Sequence, residues 1–73
     1  MFQRKKFAAR LLELRQEKHV SQAQIAALLS VSTTQAGDME RGKTGTTLER
    51  LVLLSEYYGV STDYLLGLKD TRE

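Results

Sequence analysis

Apolar residues recur along this chain at the three- and four-residue spacing of one face of an α-helix. In the first such segment, about residues 4–18, Phe7, Leu11 and Leu14 share one face. The same pattern predicts a second helix over about 21–29, a third over about 33–41, a fourth that ends at Gly59 and a fifth that ends near Gly67. Since no segment alternates apolar and polar residues as a strand does, the sequence predicts an all-α fold of five helices.

Hydroxyl residues mark the predicted starts of four helices. In a capping box, a serine or threonine accepts a hydrogen bond from the amide three residues later, and a glutamine or glutamate there returns one. This spacing occurs for Ser21 with Gln24, for Ser32 with Gln35 and for Thr46 with Glu49. Ser61 is the predicted cap of the short fifth helix.

The joint between the second and third helices is only about three residues long, residues 30–32. So short a joint forces two helices to cross steeply, which is the helix-turn-helix geometry. In that arrangement the second helix of the pair protrudes and can enter the major groove of DNA. Short capped helices with tight joints also occur in plain helical bundles, so the pattern alone leaves both interpretations open.

Length and composition limit the chain to a single domain. Its 73 residues have no cysteine and only one histidine, His19. We expect the core to cover about residues 4–68 and the polar tail, residues 69–73, to fray. With no glycine-rich phosphate loop, nucleophile set or metal cluster, the sequence predicts no enzyme activity, no metal, no other cofactor and no small-molecule ligand.

Positive charge is concentrated at the start of the chain. The net charge is +2, but residues 1–20 carry six basic and two acidic residues, including Arg4, Lys5 and Lys6. A basic end can attract phosphates, although a solvated helix face has the same composition. Arg10 and Glu13 interrupt the opening segment, so we expect neither a secretory nor a membrane segment and assign the chain to the cytoplasm.

Several short motifs, taken in order, resemble the helix-turn-helix of the lambda-repressor-like, or XRE, family. They are Ser21-Gln22, Ile25-Ala26, Leu29, Val31-Ser32, Glu40-Arg41-Gly42-Lys43, Leu48-Glu49-x-Leu51, Tyr58-Gly59-Val60-Ser61 and Asp63-Tyr64-Leu65-Leu66-Gly67. The match covers about residues 10–68 of the chain. The resemblance implies a five-helix, all-α, lambda-repressor-like domain of bacterial or phage type, in which helices 2 and 3 form the helix-turn-helix and helix 3 contacts DNA bases.

The resemblance also implies roles for individual residues. Base-contacting side chains would be Thr33, Thr34 and Asp38, with Gln35 beside them. Candidate phosphate-binding residues are Gln22, Ser32, Arg41, Lys43 and Thr44. A largely buried ion pair between Arg15 and Glu40 would join helix 1 to helix 3.

Three residues depart from the usual pattern of this family. Ser30 occupies a turn position that usually holds glycine and needs a left-handed backbone, which costs about 1 kcal/mol for serine. Ala36 replaces a larger apolar residue that would anchor helix 3. Asp38 replaces a neutral or basic residue; it would either accept a hydrogen bond from a cytosine amine or simply repel phosphates. Gly37, on the same side, either opens a gap for close approach to DNA or has no role.

The favoured function is a sequence-specific transcriptional regulator, a repressor of phage or mobile-element type that binds palindromic double-stranded DNA as a homodimer. The predicted dimer contact is apolar and C-terminal, formed by Tyr64, Leu66 and Leu68. One alternative is an antitoxin or restriction-modification control protein that binds its own promoter. Another is a protein-interaction module that has lost DNA binding, suggested by Leu28, Leu53 and Tyr57 at positions where the family is usually small or polar.

Overall fold

Five helices form the fold in a computed structural model that describes residues 2–73. They are α1 (Arg4–Lys18), α2 (Gln22–Leu29), α3 (Thr33–Glu40), α4 (Leu48–Tyr58) and α5 (Thr62–Leu66). No strand occurs within these residues. The predicted all-α class and the five-helix order are confirmed.

Two predicted capping boxes are present and start the helices of the helix-turn-helix. Ser21 Oγ accepts from Gln24 N at 3.1 Å, and Gln24 Oε1 accepts from Ser21 N at 2.8 Å. At the start of α3, Ser32 Oγ accepts from Gln35 N at 3.0 Å, and Gln35 Oε1 accepts from Ser32 N at 3.2 Å. Each box satisfies two backbone donors that a helix start otherwise leaves unpaired.

The third predicted capping box is wrong by one residue. The cap of α4 is Thr47, whose Oγ1 accepts from Arg50 N at 3.2 Å. Thr46 instead has a buried Oγ1 with no hydrogen-bond partner within residues 2–73. Two adjacent threonines offer the same hydroxyl, and the loop backbone, not the spacing to Glu49, decides which of them caps the helix.

The core lies between the helices and is built from the predicted apolar faces. It comprises Phe7, Leu11, Leu14, Ile25, Leu29, Met39, Leu51, Leu54, Val60, Tyr64 and Leu65. The most deeply buried large side chains are Phe7, Leu54 and Leu65. Helix α3 packs on both α1 and α2, so two elements support the helix predicted to contact DNA.

The turn between α2 and α3 contains the left-handed residue predicted from the sequence. Ser30 has φ 58° and ψ 45°, and the next amide, Val31 N, returns to Ala26 O at 2.9 Å. This closes α2 immediately and lets α3 begin at Thr33. The conformation is one that glycine adopts more easily than serine, so Ser30 carries a local cost.

The C-terminal tail packs against α1, whereas the sequence suggested that it would fray. Arg72 donates to both carboxylate oxygens of Glu17, at 2.9 and 2.6 Å, and to Glu13 at 3.3 Å. Its carbonyl accepts from Ser61 N at 2.7 Å. Hydrogen bonding to Arg72 lowers the pKa of the Glu17 carboxyl below its ordinary value. Glu13 and Glu17 on α1 thus hold the tail in place, and the polar composition of the tail alone did not indicate this contact.

Candidate nucleic-acid interface

The first turn of α3 presents its side chains to solvent. Ser32, Thr33 and Thr34 are all exposed, while Ala36 and Met39 face the core at 1% and 4% exposure. The helix is therefore held by its inner face and leaves two threonine hydroxyls and methyls free. These groups can contact base edges, since a threonine methyl packs on the thymine methyl and its hydroxyl can hydrogen-bond.

Gln35 is exposed, but its side chain is hydrogen-bonded to the backbone at the start of its own helix. Its Oε1 accepts the Ser32 amide within the capping box. A bidentate contact between glutamine and adenine uses both the oxygen and the nitrogen of the side-chain amide. Gln35 can therefore make that contact only by giving up half of the capping box.

An ion pair joins α1 to the last residue of α3. Arg15 Nε donates to Glu40 Oε2 at 2.7 Å, and the two side chains are 17% and 6% exposed. The second oxygen, Glu40 Oε1, accepts from Gln22 Nε2 at 3.1 Å, and Arg15 Nη1 donates to Val20 O at 3.0 Å. Three helices thus meet at one carboxylate, and the side chain of Gln22 braces α3.

Asp38 and Arg41 form a second pair, on the exposed side of α3. Arg41 Nη2 lies 2.7 Å from Asp38 Oδ1, with the side chains 53% and 27% exposed respectively. The guanidinium group also lies against Gly37. A Cβ added to Gly37 would be 3.0 Å from Arg41 Nη1, 3.3 Å from Nη2 and 3.4 Å from Cζ. Both interpretations of Gly37 remain predictions, and in this structure the side chain of Arg41 occupies the space beside it.

The loop after α3 lies next to the start of α1. Lys43 and Thr44 are exposed, and Arg4 Nη1 donates to Lys43 O at 3.1 Å. The backbone of Lys5 lies close to Gly42, which adopts a φ of 76°. Lys6 instead faces the tail, with its Nζ 3.5 Å from Asp70. The structure therefore places Arg4 and Lys5, but not Lys6, beside the predicted phosphate-binding loop.

The three residues predicted for a dimer contact differ in exposure. Tyr64 is only 6% exposed, and the guanidinium of Arg10 lies 4.1 Å from the centre of its ring. Tyr64 belongs to the core and leaves little surface for a contact with a second chain, which corrects its assignment. Leu66 is half-buried, whereas Leu68 is 59% exposed.

Exposed apolar side chains are found elsewhere, on the outer face of α4. Leu48 and Val52 are 78% and 49% exposed, and Leu53 beside them is 39% exposed. The other two residues that suggested an interaction module, Leu28 and Tyr57, are partly buried against the core. The apolar spacing that predicts helix 4 does not distinguish its inner face from its outer face.

Among residues 2–73, no group of three or more His, Cys, Asp or Glu side chains could hold a metal ion. Within that range no helix is long and apolar enough to cross a membrane. A half-open apolar cavity of about 170 Å³ lies between the N-terminus and α4, lined by residues that include Phe2, Phe7 and Leu48.

The helix-turn-helix geometry is matched by a family model. The model of the helix-turn-helix family covers residues 11–65, which include all of α2, α3 and α4. The chain belongs to this helix-turn-helix family. It is also 39% identical, over 61 residues, to the HTH-type transcriptional regulator DdrOP3 of Deinococcus deserti. The match covers 84% of this chain but only 47% of the length of that relative. Other curated relatives that the chain matches are likewise longer than the chain itself.

Two solved helix-turn-helix structures share the fold over most of their length. The P22 c2 repressor, determined in complex with a synthetic operator, has a TM-score of 0.76 and 30% identity, with 82% of this chain and 91% of that chain covered. The restriction-modification controller protein C.AhdI from Aeromonas hydrophila has a TM-score of 0.74 and 31% identity, with 85% and 94% covered. The lambda-repressor-like architecture implied by the sequence motifs is thereby confirmed.

Proposed function

We propose that this chain binds double-stranded DNA in a sequence-specific manner and regulates transcription, with α3 in the major groove. The observation that carries the proposal is the way in which α3 is held against α1 and α2. Glu40 ties the end of this helix to Arg15 of α1 and Gln22 of α2, while Thr33 and Thr34 are left exposed at its start. A rigidly held helix with a free first turn suits docking into a groove.

The proposed contacts divide into two classes. Thr33 and Thr34 are proposed to contact base edges, with Gln35 contributing through its amide nitrogen. Phosphate contacts are proposed for Gln22, Ser32, Arg41, Lys43 and Thr44, to which the structure adds Arg4 and Lys5 as neighbours of the loop. Phosphate contacts supply most of the affinity, and base contacts supply the specificity.

The repressor of P22 supports a repressor role, and its operator complex supports DNA as the partner. A homodimer on a palindromic operator would place two copies of α3 about 34 Å apart. Leu66 and Leu68 remain the proposed contact, and exposed Leu53 lies on the neighbouring helix. Such a regulator would act in the bacterial cytoplasm, where the DNA is.

A second candidate function is a restriction-modification control protein that binds its own promoter. The similarity to C.AhdI, which is as close as that to the P22 repressor, favours it. Both functions use the same contact surface. Neighbouring genes separate them, because a control protein is encoded beside a restriction operon.

Selection of binding sites from a random pool of duplex DNA tests the proposal. The expected result is one enriched sequence with two-fold symmetry, bound with an affinity that falls steeply as salt rises from about 50 to about 200 mM. If the chain binds no duplex even at the lower salt concentration, the DNA-binding proposal is wrong. The exposed apolar face of α4 would then become the leading interaction surface.

A further inference from the structure

We propose that Gly37 and Asp38 form a seat for the guanidinium group of Arg41, and that this seat positions Arg41 as a phosphate anchor on DNA. The inference rests on the proposed DNA-binding function and adds positioning residues to it. We call this arrangement the Arg41 seat. It assigns to Asp38 a role other than base contact or simple repulsion.

The seat is defined by two contacts of different kinds. The guanidinium lies beside Gly37, because three of its atoms would be 3.0–3.4 Å from a Cβ built on that residue. One edge is held by Asp38, with Arg41 Nη2 at 2.7 Å from Oδ1. A Cβ on Gly37 would be in tight contact with the guanidinium, which would have to shift by a few tenths of an ångström.

The same two residues also hold the backbone around Arg41. Gly37 O accepts from Arg41 N at 3.0 Å, and Asp38 O accepts from Lys43 N at 2.9 Å. The peptide segment that carries both basic residues is therefore tied to the last turn of α3. With its backbone held at φ −95° and ψ −2°, Arg41 has a limited set of directions in which its side chain can extend.

The charges explain how an acid on this surface can assist DNA binding. An unpaired carboxylate would repel phosphates, but Asp38 is paired with Arg41. A guanidinium has five N–H donors, so one bond to Asp38 leaves donors on Nε and Nη1 for a phosphate. A long side chain that is already ordered loses less freedom on binding than one that is mobile. Asp38 thus offsets its repulsion by ordering Arg41.

The primary test is Gly37→Ala, which changes no charge. The added Cβ crowds the guanidinium and shifts it by a few tenths of an ångström. Alanine also favours the helix more than glycine does. We expect a thermal midpoint that is equal or higher, together with affinity for a mixed-sequence duplex that is about three- to tenfold weaker. In an Arg41→Ala background, Gly37→Ala should change affinity by less than about twofold. A thermal midpoint that does not fall, together with weaker DNA affinity, distinguishes a loss of Arg41 positioning from general damage to the fold.

Asp38→Ala, measured in the same two backgrounds, tests the other half of the seat. With Arg41 present, removal of Asp38 loses the ordered guanidinium; with Arg41→Ala, it removes only the repulsion. We therefore expect Asp38→Ala to tighten DNA binding more in the Arg41→Ala background than in the unmodified chain. Equal tightening in both backgrounds would show that Asp38 only repels, and a changed base preference would show that it contacts a base; either result overturns the seat.

Failure of the seat and failure of DNA binding give different results. If the unmodified chain binds duplex and Arg41→Ala weakens it, but Gly37→Ala does not, the seat is wrong and the proposed function stands. If the unmodified chain binds no duplex, both proposals fall.

Side-chain NMR of Arg41 in the free protein adds a readout independent of DNA. A restricted guanidinium in the unmodified chain that becomes mobile in Gly37→Ala supports the seat, and equal mobility in both overturns it.

Discussion

Arg15 and Glu40 are 25 positions apart in the sequence, and their side chains meet at 2.7 Å between Nε and Oε2. Glu40 is the residue with which α3 ends, and its side chain is only 6% exposed. Because its other oxygen accepts from Gln22, both oxygens of a nearly buried carboxylate are satisfied. This arrangement fixes the end of α3 to both helices that support it.

Glu40→Ala is expected to destabilise the fold by about 3–5 kcal/mol, because it leaves Arg15 partly buried and unpaired. Replacing both residues with apolar side chains of similar volume should cost much less. Denaturant unfolding measures both effects, and Glu56→Ala, an exposed acid on α4, is the matched control. A Glu40→Ala midpoint equal to that of the control would contradict a stabilising pair.

Tyr58 links this network to a dependence of stability on pH. Burial, together with the nearby carboxylate of Glu40, raises the pKa of the Tyr58 phenol to about 12. Because the folded pKa lies above the ordinary value near 10, the folded state keeps a proton that the unfolded state loses. Stability from this group is complete below pH 10 and is lost as pH rises to about 12.

Urea unfolding across that pH range, in the unmodified chain and in Tyr58→Phe, measures the effect. The phenylalanine variant should show a shallower loss of stability between pH 10 and 12. Tyr57→Phe serves as the control, since it removes the same phenolic hydroxyl one residue earlier on α4. If the two variants follow the same curve, the raised pKa of Tyr58 is not the cause.

The docked tail predicts a change in the titration of one acid. Arg72→Ala removes the hydrogen bonds that lower the pKa of Glu17, so this pKa should rise to its ordinary value. Carboxyl NMR during an acid titration follows Glu17 directly. The Ser61 amide, which donates to Arg72 O, should exchange its hydrogen faster if the variant releases the tail. An unshifted Glu17 would mean that the tail is not held by this pair in solution.

Ser30→Gly is expected to stabilise the chain by about 1 kcal/mol. Ser30 has a φ of 58°, a backbone conformation that glycine adopts without the steric cost paid by serine. Ser32→Ala, two residues on, should have the opposite sign and cost about 1 kcal/mol, because it removes the cap of α3. Midpoints of chemical unfolding compare the two, and a destabilised Ser30→Gly variant would overturn this reading of the turn.

Most features set by neighbouring residues were predictable from the sequence, with the cap of α4 as the exception. The boxes at Ser21 and Ser32, and the left-handed Ser30, depend on hydrogen bonds and backbone sterics within a few positions. The seat for Arg41 also lies within one turn, and the spacing of three residues from Asp38 to Arg41 was a signal that could have revealed it.

Features set by packing between distant segments were not predictable from periodicity; the Arg15–Glu40 pair was expected only from the family resemblance. Tyr64 lies in a helix of only five residues, which is too short for periodicity to distinguish a buried face from an exposed one. Its ring is covered by the guanidinium of Arg10 from α1. The tail pairs Arg72 with Glu17, more than fifty positions away. Such contacts depend on where whole helices lie, which periodicity does not specify.

The most direct test of the central claim is the ratio of affinities for a selected duplex and a scrambled one at the same salt. If α3 contacts bases, the unmodified chain should prefer the selected duplex by about a thousandfold or more. The double substitution Thr33→Ala with Thr34→Ala should reduce that ratio sharply, while affinity for the scrambled duplex changes little. Equal affinity of the unmodified chain for both duplexes, or a ratio that survives the double substitution, would contradict base contact by the first turn of α3.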